Sequence, residues 1–431
     1  DIISTIDVYI QDIAHHALLK QLEYYSADHG CVVVMETKTG HIKAISNLGR
    51  ANDGSYYETQ NYAITESHEP GSTFKLVDLI AVLDDKKADT SKIYDSKGGV
   101  IEYYGRKVRD SKPGGYGKIS LARGFELSSN TVLVQSVYDS YKNNPKQFVD
   151  RINSYGLNKP LGLPIKGEGK PVIPQPGTNR WSGVALPWMA FGYGLSVTPL
   201  QTLTLYNAVA NDGVMIKPIF VSEIKEWNKT IKKFDTEVIN PKICSQETLD
   251  KVQAVLENVV KKGTGSKLYS KDFSMAGKTG TAQVNYKDKS KLYYASSFVG
   301  YFPADEPKYS CIIVVHKPNV AAGYYGADVA GPVFKRIAQK IFTDSPSTNH
   351  VKNIDAKVVS QEKSYAEYYK KVEKESNVVP NVKGMEGMDA VALLENLGLK
   401  VKVIGVGRVK KQSLTSGQAF NKNQTIIIEL S

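Results

Sequence analysis

Between Leu76 and Leu83 only Asp78 carries a charge, so this stretch is apolar nearly all round rather than striped. A helix of that kind runs through a protein's interior instead of over its surface. Pro70 and Gly71 mark the turn into it. Elsewhere the hydrophobic period changes. Residues 31–35 and 42–45 predict two strands of a hairpin around Lys38-Thr39-Gly40, and residues 220–225 alternate as a strand does. A short helical piece begins near Ser120, and Leu133, Val134, Val137, Tyr138 and Tyr141 share one face of a further helix. Another helix is predicted over 331–342, after which Ser, Asn, Lys and Glu dominate to about Asn377, as in a linker or a solvated helix. A second module then begins. It has a helix over 388–397 with Ala390, Leu393, Leu394 and Leu397 inward and Gly398 at its end, and strands over 399–404 and 425–430.

The polar residues at the head of the apolar helix carry the candidate chemistry. Ser72 and Lys75 are three apart and share a helix face, so the amine can serve the hydroxyl as its base. Holding a lysine neutral near pH 7 against an ordinary pKa of about 10.4 costs ~4.6 kcal/mol. Burial, a helix N-terminus and a second cation each push in that direction. The same Ser-x-x-Lys spacing recurs at Ser222 and Lys225 in the alternating segment, and at Ser360 and Lys363 in the charged tail, so spacing alone decides nothing. Ser128-Ser129-Asn130 falls on a turn between two predicted helices. Ser and Asn are ordinary turn residues, and Ser347-Thr348-Asn349 repeats the pattern. Lys278-Thr279-Gly280-Thr281 is placed just before a strand edge at Ala282, where an extended peptide can approach a glycine closely. Its copy at Lys38-Thr39-Gly40 is read as a hairpin turn. A phosphate-binding loop around Gly277 is excluded, because that pattern needs a glycine where Asp272 stands.

Taken in order, Ser-x-x-Lys, Ser-x-Asn and Lys-Thr-Gly lie 56 and then 150 residues apart, from 72 to 128 and from 128 to 278. That triple is the pattern of penicillin-binding proteins and serine β-lactamases. The chain resembles the class B penicillin-binding proteins, monofunctional D,D-transpeptidases of the bacterial wall. Further likeness lies in Thr5-Ile6-Asp7 with Gln11, in Val32 to Gly40, in Asn61-Tyr62-Ala63, in Gly192 to Gln201 and in Phe298 to Pro303. His68 departs from the aromatic residue that relatives often carry. The last 54 or so residues resemble a PASTA domain, near the lower size for independent folding.

The resemblance implies an α+β architecture: a penicillin-binding transpeptidase fold over 1–345, with a central antiparallel sheet flanked by helices plus an all-helical subdomain. A linker over 346–377 and a small βα PASTA domain over 378–431 follow. It implies Ser72 as the nucleophile, Lys75 as its base, Ser128 as a proton relay, and Asn130 as a partner of Lys75 and of the substrate amide. The backbone N–H groups of Ser72 and Thr281 become the oxyanion hole. Lys278, Thr279, Gly280 and Thr281 become the substrate subsite, the side chains of Lys278, Thr279 and Thr281 holding its terminal carboxylate. The implied partners are stem peptides ending in D-Ala-D-Ala, β-lactams, and a glycosyltransferase and other division proteins. No cofactor is implied. The setting is the outer face of the cytoplasmic membrane, reached through an anchor and pedestal upstream of residue 1. A single PASTA domain tilts the reading to the septal type over the elongation type, with a sporulation-specific relative beside it. Two other classes share the acylation residues. They are a hydrolase, for which no water-activating base stands out, and a non-catalytic wall or β-lactam sensor.

Composition constrains less. The 431 residues predict two or three domains, and 41% hydrophobic content is ordinary for globular chains. A net charge of +11 without a basic helix or arginine cluster does not favour nucleic acid. Cys31, Cys244 and Cys311 form an odd set, and two of them lie in apolar strand-like runs, so buried free thiols are expected. Histidine and cysteine show no metal-ligand spacing, so no metal is indicated. His68 and Glu168 are tested as bases. Each is read as a residue of a partly exposed loop.

Overall fold

The computed structural model describes residues 1–226, 229–286, 288, 290–344 and 378–431. The predicted linker and the repeats at Ser347-Thr348-Asn349 and Ser360/Lys363 lie outside the described residues. The chain divides into two compact units, residues 1–345 and 346–431.

The larger unit is organised by a six-stranded antiparallel sheet. Its strands are β1 (His29–Glu36), β2 (Ile42–Arg50), β3 (Tyr56–Tyr57), β4 (Ala276–Val284), β5 (Tyr293–Phe302) and β6 (Tyr309–His316), in the spatial order β4-β5-β6-β1-β2-β3. Strand β1 shows why the run Cys31–Met35 does not alternate in polarity. Cys31, Val33 and Met35 pack into one core, and Val32 and Val34 into another, so both faces are covered. On the second face lie α1 (Val8–Tyr24) and the helix Gly331–Asp344, which bring Leu18, Leu22, Phe334 and Ile337 against Phe298 and Ile313. On the first face lie α2 (Lys75–Asp84) and α3 (Pro199–Ala210). Nine of the ten residues of α2 are buried, as its unstriped sequence requires. All twelve of α3 are buried, and its entry is set by a capping box in which Thr198 and Gln201 satisfy each other's backbone N–H groups.

Lys38-Thr39-Gly40 closes the β1–β2 hairpin, with Gly40 at φ 79°, and Val221–Glu226 is a strand, so Lys225 does not stack over Ser222 as it would on a helix. The helical subdomain also contains two short antiparallel ribbons, Ile93–Asp95 with Lys118–Ser120 and Val100–Tyr103 with Arg106–Arg109. All three cysteines are buried and free. No helix among the described residues is long and apolar enough to cross a membrane.

In the smaller unit the helix Gly387–Asn396 buries Ala390, Leu393 and Leu394, while Leu397 is half-buried. Gly398 follows at φ 89°, the left-handed geometry that ends helices. The strands Lys400–Ile404 and Thr425–Leu430 pair in parallel. A third strand, Val409–Gln412, was not foreseen. It pairs antiparallel with Thr425–Leu430, and of its residues only Val409 is buried, which leaves little apolar signal in the sequence.

Candidate active site

The nucleophile candidate sits in a tight turn. Residues Gly71–Phe74 form a single 3-10 turn that runs straight into α2 at Lys75. Three residues per turn eclipse positions three apart, so Ser72 and Lys75 share a side. Gly71 adopts φ 57° and its N–H donates to Gly192 O at 3.1 Å. A β-carbon on Gly192 would lie 2.0 Å from Gly71 O, so only glycine permits this approach. Tyr206, from α3 beneath, donates its hydroxyl to Thr73 O at 2.8 Å.

Lys75 is fully buried, with Asn130 as a partner, as the resemblance implies, and with Ser128 rather than Ser72 as the serine it bonds. Its Nζ donates to Ser128 O at 2.8 Å, to Ser128 Oγ at 3.3 Å and to Asn130 Oδ1 at 2.6 Å. Among the described residues it makes no hydrogen bond to Ser72 Oγ. Burial pushes the Lys75 amine down to about 7, against the opposing pull of Asp110 and then Asp78. Asp78 is itself buried, both its oxygens lack partners, and burial raises its pKa well above the carboxylate range. Asp110 is the larger of the two carboxylate influences on Lys75.

Ser128 occupies the turn between the helices Leu121–Glu126 and Asn130–Tyr141, with φ 56°, an uncommon value for a residue with a side chain. That conformation turns both its carbonyl and its hydroxyl toward Lys75. Asn130 is fixed from its other end, donating Nδ2–H to Arg109 O at 2.7 Å. The residue that sets this turn is Asp110, which the sequence reading missed. Its carboxylate accepts from Ser129 Oγ at 3.1 Å, Thr131 N–H at 3.0 Å and Thr131 Oγ1 at 2.8 Å, at the start of the helix.

Lys278, Thr279, Gly280 and Thr281 lie inside β4, which begins at Ala276, rather than ahead of a strand at Ala282. The expected edge is present, since β4 ends the sheet. Gln283 N–H donates outward to Tyr193 Oη at 2.7 Å, and alternation along the strand turns Thr281 N–H to the same free side. Gly280 serves a different purpose from close substrate approach. A β-carbon there would meet Ser297 Oγ at 2.2 Å and Thr73 Cγ2 at 2.9 Å, so the missing side chain makes room for the nucleophile turn.

Lys278 also departs from expectation. It is fully buried, donates to Thr279 O at 3.0 Å and lies 5.7 Å from the centre of the Phe125 ring. Thr279 and Thr281 line the cavities that contain Ser72, and Lys278 stands behind them. Burial, then repulsion by Lys75, pushes Lys278 well below the lysine range. Burial is thus the leading cause at both lysines, with the repulsion between them acting in the same direction.

Ser72, half-buried, opens into a cleft of about 570 Å3 with Asn130, Thr281 and a wall of aromatics that includes Trp188, Tyr193 and Tyr325. His68 is half-buried and forms a bridge to Val197, and it makes no contact with Ser72. Its carboxylate neighbour is Glu66. Glu168 accepts from Leu161, Gly162 and Leu163 N–H groups, so its carboxylate ties a loop together.

Residues 30–339 match the family described as the penicillin binding protein transpeptidase domain. The chain belongs to that family. Residues 377–431 match the PASTA domain. The stage V sporulation protein D of Bacillus subtilis is 28% identical over 442 aligned residues, covering 99% of this chain and 65% of that protein. Penicillin-binding protein PbpB of Mycolicibacterium smegmatis is 28% identical over 362 residues, covering 78% of this chain and 54% of the relative. The chain thus spans between half and two thirds of these relatives. Among solved structures, penicillin-binding protein 3 of Mycobacterium tuberculosis in complex with aztreonam superposes with a TM-score of 0.70 at 26% identity, covering 80% of this chain and 79% of that one. This penicillin-binding transpeptidase fold is the frame that holds the side chains described above.

Proposed function

We propose that the protein is a serine D,D-transpeptidase that cross-links peptidoglycan stem peptides. The observation that carries this reading is the pairing of a half-buried Ser72, open to the cleft, with a buried Lys75 whose pKa is brought down to about 7. Ser72 Oγ attacks the carbonyl between the two terminal D-alanines, and its proton passes to Lys75. The oxyanion is received by the N–H groups of Ser72 and Thr281, where each donor is worth about 2.7 to 4 kcal/mol. Ser128, within hydrogen-bond reach of Lys75, relays a proton to the departing D-alanine amine. An amine of a second stem peptide then attacks the acyl-enzyme and regenerates Ser72. Thr279 and Thr281 touch the substrate carboxylate, and Lys278 contributes from behind them. β-Lactams acylate the same serine.

The place of action in this reading is the outer face of the cytoplasmic membrane, with the PASTA domain as a docking or spacing element among division proteins and a glycosyltransferase. The single PASTA domain favours septal wall synthesis. A second reading, wall synthesis during sporulation, is favoured by the alignment with the Bacillus subtilis sporulation protein over 99% of this chain. A hydrolase needs a base for water. Glu168, considered for that part, is engaged by three backbone N–H groups.

The test is incubation with a β-lactam, followed by intact mass and peptide mapping over hours. A stable one-to-one adduct on Ser72, together with transfer of a D-Ala-D-Ala donor peptide to an added amine, is expected. Rapid loss of the adduct with continued drug consumption makes the protein a hydrolase. A stable adduct without transfer to any amine makes it a sensor.

A further inference from the structure

Three histidines and a glutamate from distant parts of the chain meet beside the segment that leads into the nucleophile turn. His29 opens β1, His316 closes β6 directly opposite it in register, and Glu66 and His68 precede Ser72. His29 Nε2 is 2.9 Å from Glu66 Oε2, and His316 Nε2 is 3.8 Å from the same oxygen. The two imidazoles stack with centroids 4.4 Å apart, and His68 stands edge-on to His316 at 5.2 Å.

An ordinary ion pair accounts for only part of this. His29 Nδ1 is held by Asp28 Oδ2 at 2.8 Å, the carboxylate-to-imidazole contact that orients metal-binding histidines and leaves Nε2 facing inward. His316 is 3% exposed, yet its Nδ1 has no hydrogen-bond partner, and neither has the buried Nδ1 of His68. A buried polar atom without a partner is expensive, so two in one cluster show that its hydrogen bonding is incomplete. A cavity of about 600 Å3, lined by Glu66, His68 and His316, gives access to the cluster and an open coordination position.

We propose that His29, Glu66 and His316 form a site for a divalent transition-metal ion, best suited to zinc, which ties the segment before Ser72 to strands β1 and β6. Two imidazoles and one carboxylate are an ordinary zinc donor set, with a water or a further imidazole in fourth place. The donor atoms lie within 4.8 Å of one another, against roughly 3.3 Å for the edge of a tetrahedron with bonds of about 2.0 Å. Binding therefore leaves the His29–Glu66 pair, at 2.9 Å, close to its present spacing, draws the wider separations in by up to roughly 1.5 Å, and tilts the stacked imidazoles so that both face one ion. The cation takes the place of the proton between His29 Nε2 and Glu66 Oε2. Sequence spacing could not reveal the group, because the sheet, and not a local motif, brings His29 and His316 together.

The test is a titration of chelator-stripped protein with Zn²⁺ by calorimetry and with Co²⁺ by visible absorption. One equivalent per chain is expected, with cobalt bands in the range of four- or five-coordinate nitrogen and oxygen ligation. His29→Gln, Glu66→Gln and His316→Ala should each weaken binding by 100-fold or more, and Asp28→Asn by about 10-fold. Stoichiometric β-lactam acylation of each variant certifies its fold, and if His316→Ala fails that control the two glutamine variants decide. Absence of stoichiometric binding to the unaltered protein, or binding that survives both glutamine variants, overturns the proposal.

Discussion

The burial of Lys75 makes a quantitative demand on the pH dependence of acylation. Only the neutral amine accepts the Ser72 proton, and its pKa is brought down to about 7. The neutral fraction then falls from ~0.9 at pH 8 to ~0.03 at pH 5.5, so the acylation rate constant should drop roughly 30-fold between them. An exposed lysine with a pKa near 10.4 would instead give a rate still rising tenfold per unit throughout that range. The sign follows from burial: the protein disfavours the charged form, so acid restores the proton and removes the base. The assay is the second-order rate constant for a β-lactam without ionisation in this range, followed by time-resolved intact mass from pH 5 to 10. A plateau above pH 8 with an inflection near 7 is expected. A flat profile, or a rate that continues to climb to pH 10, would refute the assignment of Lys75 as a buried, pre-deprotonated base.

Lys75→Ala should abolish acylation while leaving circular dichroism unchanged, and near-normal acylation would remove it as the base. Gly280→Ala should slow acylation tenfold or more and cost about 1–3 kcal/mol in urea unfolding, because the new methyl meets Thr73 and Ser297. Asp110→Ala should cost about 1–3 kcal/mol and slow acylation, since Thr131 N–H and the Ser129 and Thr131 hydroxyls lose their acceptor and the Ser128 turn loosens. Lys278→Met should raise the melting temperature while impairing donor-peptide turnover. The folded state prefers Lys278 without its proton, so this residue's contribution to stability falls as pH drops from the ordinary lysine range, and the gain from methionine should be larger at pH 7 than at pH 10.

Local chemistry was legible in the sequence, and geometry across the sheet was not. The apolar run after Lys75 predicted a buried helix because periodicity reports burial directly, and α2 is buried almost throughout. The strand holding Lys278 was placed six residues late. Lysine, threonine and glycine carry little strand signal, and residues Ala276 to Thr281 are strand because β5 pairs with each of them. Lys278 was expected in the cleft because the resemblance gives it a share of the substrate carboxylate, whereas the fold buries it against Phe125. Asp110 left no mark, since the helix start it holds lies about twenty residues further along the chain.

The two ends of the central sheet are finished differently. At one end the two-residue strand Tyr56–Tyr57 shortens the exposed border. At the other, nine residues of β4 present an unpaired border, the feature that ordinarily invites chain-to-chain pairing and aggregation. Here Tyr193 blocks it at Gln283, while the nucleophile turn packs over the face of the strand at Gly280. Thr281 is the outward-facing backbone position next to that block. Edge pairing by an incoming chain therefore stops at Gln283, so the contact that closes off the end of the strand also limits the sheet's exposure to chain-to-chain pairing.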